Sequence, residues 1–192
     1  MIELKRETKE TKIQLSLNPY GTGKADIHTG IGFFDHMLTA FAVHGQLDLT
    51  IHVEGDLEVD CHHTIEDTGI VLGKAFAQAF QDKRGIARFG DAYIPMDEAL
   101  CFAAVDFSGR PYLVCENTPS APMIGSYDTQ MTQEFFRALA YNALITLHVR
   151  CLYGENEHHK VEGMFKATGR AMRKAMAKTG SNEVLSSKGV LE

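Results

Sequence analysis

The sequence predicts an α+β protein made of two duplicated halves, ferredoxin-like units of β-β-α-β-α type, with the helix layers packed between two sheets. Three observations support this class. The chain repeats itself at an offset of 96 residues, half of its 192: Thr50-Ile51-His52-Val53 returns as Thr146-Leu147-His148-Val149, and His62-His63-Thr64-Ile65-Glu66 returns as His158-His159-Lys160-Val161-Glu162. Each half opens with alternating segments split by turn residues. Each half then closes with an apolar stripe at helical spacing.

Lys12-Ile13-Gln14-Leu15-Ser16-Leu17 alternates polar and apolar residues, as a strand with one buried face does. Asn18-Pro19-Tyr20-Gly21-Thr22-Gly23 interrupts it, and Lys24 to Thr29 continues as a second short strand, so a hairpin is expected. A helix from Phe33 to His44 leads into a strand over Asp48 to Val53. The segment after the first HHxxE motif is helical, because Gly73, Ala75, Phe76, Ala79 and Phe80 face Gly169, Ala171, Met172, Ala175 and Met176 at the repeat offset. Those spacings of three and four put apolar and small residues on one side of a helix, which can then approach a neighbour closely. In the second half Leu100 to Phe107, a turn at Ser108-Gly109-Arg110-Pro111, and Tyr112 to Cys115 give another expected hairpin. A helix from Thr132 to Leu144 and a strand from Leu144 to Val149 follow. The seam is expected around Ile94-Pro95, giving one domain with halves 1–94 and 95–192.

Composition narrows the function classes. With 44% hydrophobic and 23% charged residues the chain is globular and too apolar for a disordered tail. Nineteen Lys and Arg against 25 Asp and Glu leave a net charge of −6, which argues against a nucleic-acid partner. No apolar run approaches the roughly 18 residues of a membrane span, and Met1 to Glu10 is too polar for a secretion signal. Cys61, Cys101, Cys115 and Cys151 form neither a CxxC pair nor a dense disulfide framework. Reduced thiols in the cytoplasm are the expectation.

The chemistry lies in the duplicated motif. Imidazole and carboxylate donors suit Mn, Fe, Co or Zn, and the absence of clustered thiolates argues against a structural zinc site. On a helix His62 and Glu66, four apart, share a face, whereas the adjacent His62 and His63 point about 100° apart. One ion is therefore not expected to take both, and each motif serves two metals. Two ions suffice if one motif meets another, in the same chain or a neighbour, making a dinuclear site. Further ligands are expected from the preceding helices, at His36 and at Glu134. The remaining histidines, His28, His44, His52 and His148, read as packing groups and receive no role.

These residues closely resemble the imidazoleglycerol-phosphate dehydratase family over nearly the whole chain. The resemblance rests on Asp60-Cys61-His62-His63-Thr64-Ile65-Glu66-Asp67, Gly154 to Lys166, Gly32-Phe33-Phe34-Asp35-His36-Met37-Leu38, Arg88-Phe89-Gly90-Asp91, Ser108-Gly109-Arg110-Pro111 and Ser186-Ser187-Lys188-Gly189. It implies a Mn-dependent hydro-lyase of histidine biosynthesis that dehydrates imidazole glycerol phosphate to imidazole acetol phosphate. It also implies a closed homo-oligomer of about 24 subunits with active sites between chains. The metal ligands carried over are His36, His62, His63, Glu66, His158, His159 and Glu162, with two Mn ions per active site. Position 134 departs from the family pattern, where many relatives have His; Glu134 can ligate as a carboxylate or leave that place to water. The expected partition is His36, His63, Glu66 and His158 on one ion, with His62, Glu134, His159 and Glu162 on the other.

The chemistry implied is that two cations flanking the substrate imidazole favour imidazolate, whose electrons expel the C3 hydroxyl through a diazafulvene-like intermediate. Glu10 and Glu162 are the candidates for moving the proton, and Glu10 also matches a substrate-contacting position. Arg88, Arg110, Lys166 and Lys188 match phosphate-side positions, with Ser186 or Ser187 donating hydroxyls. Two other readings compete: a metal-storing or metal-sensing homo-oligomer without turnover, and a dinuclear metallohydrolase. A nucleotide site at Gly30-Ile31-Gly32 is rejected, because Phe and Asp follow where GxGxxG requires a third Gly.

Overall fold

Strand alternation and helical stripes assemble here into two four-stranded sheets with a double helix layer between them. The computed structural model describes residues 1–189. The first half runs β1 (Ile2–Glu7), β2 (Thr11–Asn18), β3 (Ala25–His28), α1 (Gly32–Gly45), β4 (Asp48–Gly55) and α2 (His62–Ala79). The second runs β5 (Phe89–Met96), β6 (Ala99–Asp106), β7 (Tyr112–Glu116), the short β8 (Met123–Ile124) and β9 (Tyr127–Asp128), α3 (Met131–Ala143), β10 (Thr146–Tyr153) and α4 (Glu157–Ala175). The sheet orders are β1-β2-β4-β3 and β5-β6-β10-β7, so the duplication read from the motifs extends to the strand order.

Three local expectations need correction. Each four-stranded sheet has one more strand than expected, β1 and β5, and the second half adds the short β8–β9 pair. In β1 the inward side carries Ile2, Leu4 and then Arg6, whose guanidinium meets Asp67 at 2.8 Å, so a charge on the inner face hid the alternation. The strand pairs also differ. β3 lies parallel to β4 and β7 parallel to β10, while β2 and β6 pair antiparallel with those same central strands. The expected hairpins β2–β3 and β6–β7 are therefore split by an inserted strand, and the true hairpins are β1–β2 and β5–β6. In the first half the loop after β2 is held across that inserted strand by Asp48, which accepts backbone N–H groups of Thr22 and Lys24 at 2.8 and 3.2 Å. Finally, Ile94 and Pro95 lie inside β5, so the seam falls in the preceding connection, residues 80–88.

Helix packing joins the halves: α1 lies on α4, and α2 on α3. Glycines set the approach. A Cβ at Gly169 would stand 2.5 Å from the Phe41 carbonyl oxygen, and one at Gly73 would stand 2.7 Å from that of Leu139. Phe34, Phe135 and Phe165, none of them exposed, meet ring to ring where three helices converge, so neither half encloses a core alone. Among the described residues no helix is long and apolar enough to cross a membrane. All four cysteines are free, and burial pushes the Cys115 thiol up to about 12.

Candidate metal centre

The first turn of α4 is built for display. Asn156 caps it, its side chain accepting the N–H groups of both His158 and His159. The imidazoles then diverge, with ring centroids 6.3 Å apart, as helical geometry requires of neighbours. His158 Nε2 lies 3.1 Å from Glu162 Oε2, four residues on. From the other half α1 brings His36, whose Nε2 is 3.4 Å from the same oxygen. The three ligand atoms lie within 4.8 Å of one another. Phe33 backs His158 edge-on, with centroids 5.0 Å apart.

Glu162 is the anchor, only 6% exposed. Burial by itself would raise its pKa, but Lys166, 2.6 Å from Oε1, and His36 outweigh burial and hold the carboxyl below its ordinary range. The carboxylate is thus ionised, with one oxygen on Lys166 and the other facing two imidazole nitrogens. An N2O donor set around a buried anion fits a divalent Mn, Fe, Co or Zn ion.

The second histidine of each motif is oriented by a carboxylate. His159 Nδ1 meets Glu98 at 2.8 Å, and His63 Nδ1 meets Asp56 at 2.9 Å. These contacts raise both imidazole pKa values and commit Nδ1, leaving Nε2 as the outward donor. Glu98 also accepts the N–H groups of Asn156 and Glu155, and these bonds with that of His159 hold its carboxyl at about 2. Neither Asp56 nor Glu98 was singled out from the sequence. Glu98 lies in the β5–β6 turn, and the matching β1–β2 turn carries Glu10, whose Oε1 is 3.8 Å from His63 Nε2.

The first motif repeats the pattern in a more open form. His62 Nε2 is 3.7 Å from Glu66 Oε2, with both side chains more than 40% exposed. Gln46 and Leu144, the left-handed residues that end α1 and α3, put Glu134 in the place of His36. Glu134, however, bonds Arg137 through both oxygens, at 2.8 and 2.7 Å. Among the described residues it joins no group of three ligands, and no such group combines residues of the two motifs. Glu162 faces His36 and His158 because the Gly169 contact sets the register of α4 on α1.

The phosphate-side residues lie elsewhere. Arg88 forks onto Asp106 at 2.7 and 3.0 Å and gives Nη1 to the Leu185 carbonyl at 2.6 Å, anchoring the turn in which Lys188 N–H reaches Ser186 Oγ at 3.2 Å. Ser187, Lys188 and Arg110 are exposed. Arg88 N–H bonds the Ala175 carbonyl at the far end of α4, which at 1.5 Å per residue is about 20 Å along the axis from Glu162. Lys166 instead stays with Glu162.

Residues 29–172 match the family model for imidazoleglycerol-phosphate dehydratase. Proteins of that name from Exiguobacterium sp. strain AT1b and Bacillus cereus strain B4264 are each 54% identical to the chain. The first aligns over 190 residues, 99% of this chain and 97% of its own, and the second over 187 residues, 97% and 96%. Two solved structures share the fold. The crystal structure of the dehydratase from Staphylococcus aureus N315 has TM-score 0.82 and 39% identity, covering 93% of this chain and 100% of its own. That from Pyrococcus furiosus, in complex with (S)-C348, has TM-score 0.84 and 38% identity, covering 98% and 100%.

Proposed function

We propose, from the premise that the chain belongs to the imidazoleglycerol-phosphate dehydratase family of hydro-lyases, that it dehydrates imidazole glycerol phosphate to imidazole acetol phosphate at a di-manganese site. The observation that carries the metal reading is the convergence of His36 Nε2, His158 Nε2 and Glu162 Oε2 from opposite halves of the chain. The proposed ligands are His36, His62, His63, Glu66, His158, His159 and Glu162, with Glu134 able to join by exchanging Arg137. When bound, the ions supply Lewis acidity that favours the imidazolate form of the substrate.

The protein's own groups do the rest. Glu162 is spent on Lys166 and the two imidazoles, so its oxygens are poor proton acceptors. Glu10 is half-exposed and its carboxylate, among the described residues, meets His63 at 3.8 Å, which makes it the better base for the proton on C2, the carbon beside the one that carries both the C3 hydroxyl and the imidazole. In sum the C3 hydroxyl and the C2 proton depart as one water, and the enol left behind tautomerises to the ketone of imidazole acetol phosphate. Arg110, Lys188 and Ser186 or Ser187 hold the phosphate, and Arg88 shapes the turn that presents them.

Arg88, which anchors the phosphate-side turn, stands about 20 Å along α4 from Glu162, farther than one small substrate spans. That separation supports a site completed between chains, and the family resemblance supports a homo-oligomer of about 24 subunits. Free thiols suit a cytoplasmic setting. The test is turnover by metal-stripped protein with and without added Mn, alongside light scattering for mass. Activity and assembly that both return with Mn support the reading; metal uptake without turnover would give the storage protein precedence.

A further inference from the structure

The outer face of the first sheet carries a group of ligating side chains that the dehydratase reading does not use. In β3 and β4 the buried Ile27 and Ile51 point toward the helices, so their strand neighbours Asp26, His28 and His52 point away. The parallel register sets His28 beside His52 and Asp26 beside Thr50. Asp26 then lies between the imidazoles: its Oδ1 is 3.1 Å from His28 Nε2 and its Oδ2 is 3.0 Å from His52 Nε2. All three ligand atoms lie within 4.8 Å of one another, and the rings meet edge to face at 5.1 Å. Glu54, two residues beyond His52, lines the same open recess with Lys12 and Gln14.

We propose that Asp26, His28 and His52 form a surface site for a divalent transition metal of borderline softness, such as Ni, Zn or Co, separate from the dehydratase centre. The distances carry this. Donors bound at about 2.0–2.1 Å stand roughly 2.8–3.0 Å apart around an octahedral ion and roughly 3.3–3.4 Å around a tetrahedral one, and the carboxylate-to-imidazole separations of 3.0 and 3.1 Å lie within that span. Because the side chains are exposed, small rotations close the remaining gap, and three protein ligands leave positions for water. The histidines contribute nothing to the core, so burial does not explain their juxtaposition. The sheet itself separates this face from the helix layer that holds His36, His158 and Glu162. With two imidazoles, the site ranks Ni and Zn above Mn. Mn-loaded protein should therefore retain capacity here.

The test is calorimetric titration of Mn-loaded protein with Ni, with Mn release followed by electron paramagnetic resonance. Wild-type protein is expected to take up one Ni per chain beyond whatever Mn it releases. The double variant His28→Asn, His52→Asn loses that equivalent while keeping its Mn, its melting temperature and its turnover, and Asp26→Asn weakens the binding at least tenfold. Equal Ni stoichiometry in wild-type and double variant overturns the proposal, as does Ni uptake matched one for one by Mn release. Neither result depends on which residues carry out the dehydration.

Discussion

Gly169→Ala tests whether helix approach places the metal ligands. The added Cβ would stand 2.5 Å from the Phe41 carbonyl oxygen and 3.1 Å from the Gly45 nitrogen, both backbone atoms that cannot rotate away. Ordinary contact requires about 3.4 Å, so α1 and α4 must part by about 0.9 Å. Overpacking of this kind costs about 1–3 kcal/mol, and a rigid backbone partner puts it at the upper end. The better helix propensity of Ala returns about 1 kcal/mol. The net expectation is a loss of about 2 kcal/mol, read by urea denaturation of the metal-free protein. His36 rides on α1, so its 3.4 Å separation from Glu162 widens and Mn binding weakens about tenfold. Gly32→Ala is the control, since a Cβ at that position on α1, the helix that carries His36, meets nothing within 4 Å. Gly73→Ala, which parts α2 from α3, should cost similar stability without moving His36. If Gly169→Ala keeps wild-type stability and Mn affinity, the argument that this contact sets the site is wrong.

Glu98→Gln removes the charged acceptor from His159. In the metal-free protein the raised His159 pKa, followed by NMR, should fall back toward the ordinary imidazole value, and an unchanged titration would sink the orienting role. The sign is fixed: stability from this pair is fully present below the ordinary histidine pKa and is lost as pH rises through the raised one. Cys115, with its thiol pushed up to about 12, should resist iodoacetamide at pH 8 in native protein and react at once after unfolding. Arg88→Ala strips a half-buried Asp106 of its fork and frees the Leu185 carbonyl. The loss should be about 1–3 kcal/mol, with faster proteolysis near residue 185 and a higher KM at little change in kcat.

What could be read without the fold was whatever shows as a local spacing or as a direct match of the chain to itself. The offset repeat, the helical stripes and the four-residue step from His158 to Glu162 are of these kinds, and each stands in the structure as the spacing implied. Two edge strands were harder. The edge strand β1 was missed although the edges β3 and β7 were read, because the inward Arg6 of β1 broke the alternation by which strands are recognised. Missing β1 and β5 hid the match between the β1–β2 and β5–β6 turns, and with it the kinship of Glu10 and Glu98.

Composition, motif and period suffice for the α+β class, the duplication, the resemblance to a dehydratase family and the residue types that can bind metal. Only the tertiary structure decided that β4 and β10 insert between the strands expected to pair, and that His36 meets Glu162 of the other half. It also decided that Glu134 turns to Arg137, and that Arg88 stands a helix length from the imidazoles. These outcomes depend on which apolar faces bury one another and on how closely glycines let backbones approach. Such contacts join residues far apart in the chain, where no periodic signal reaches.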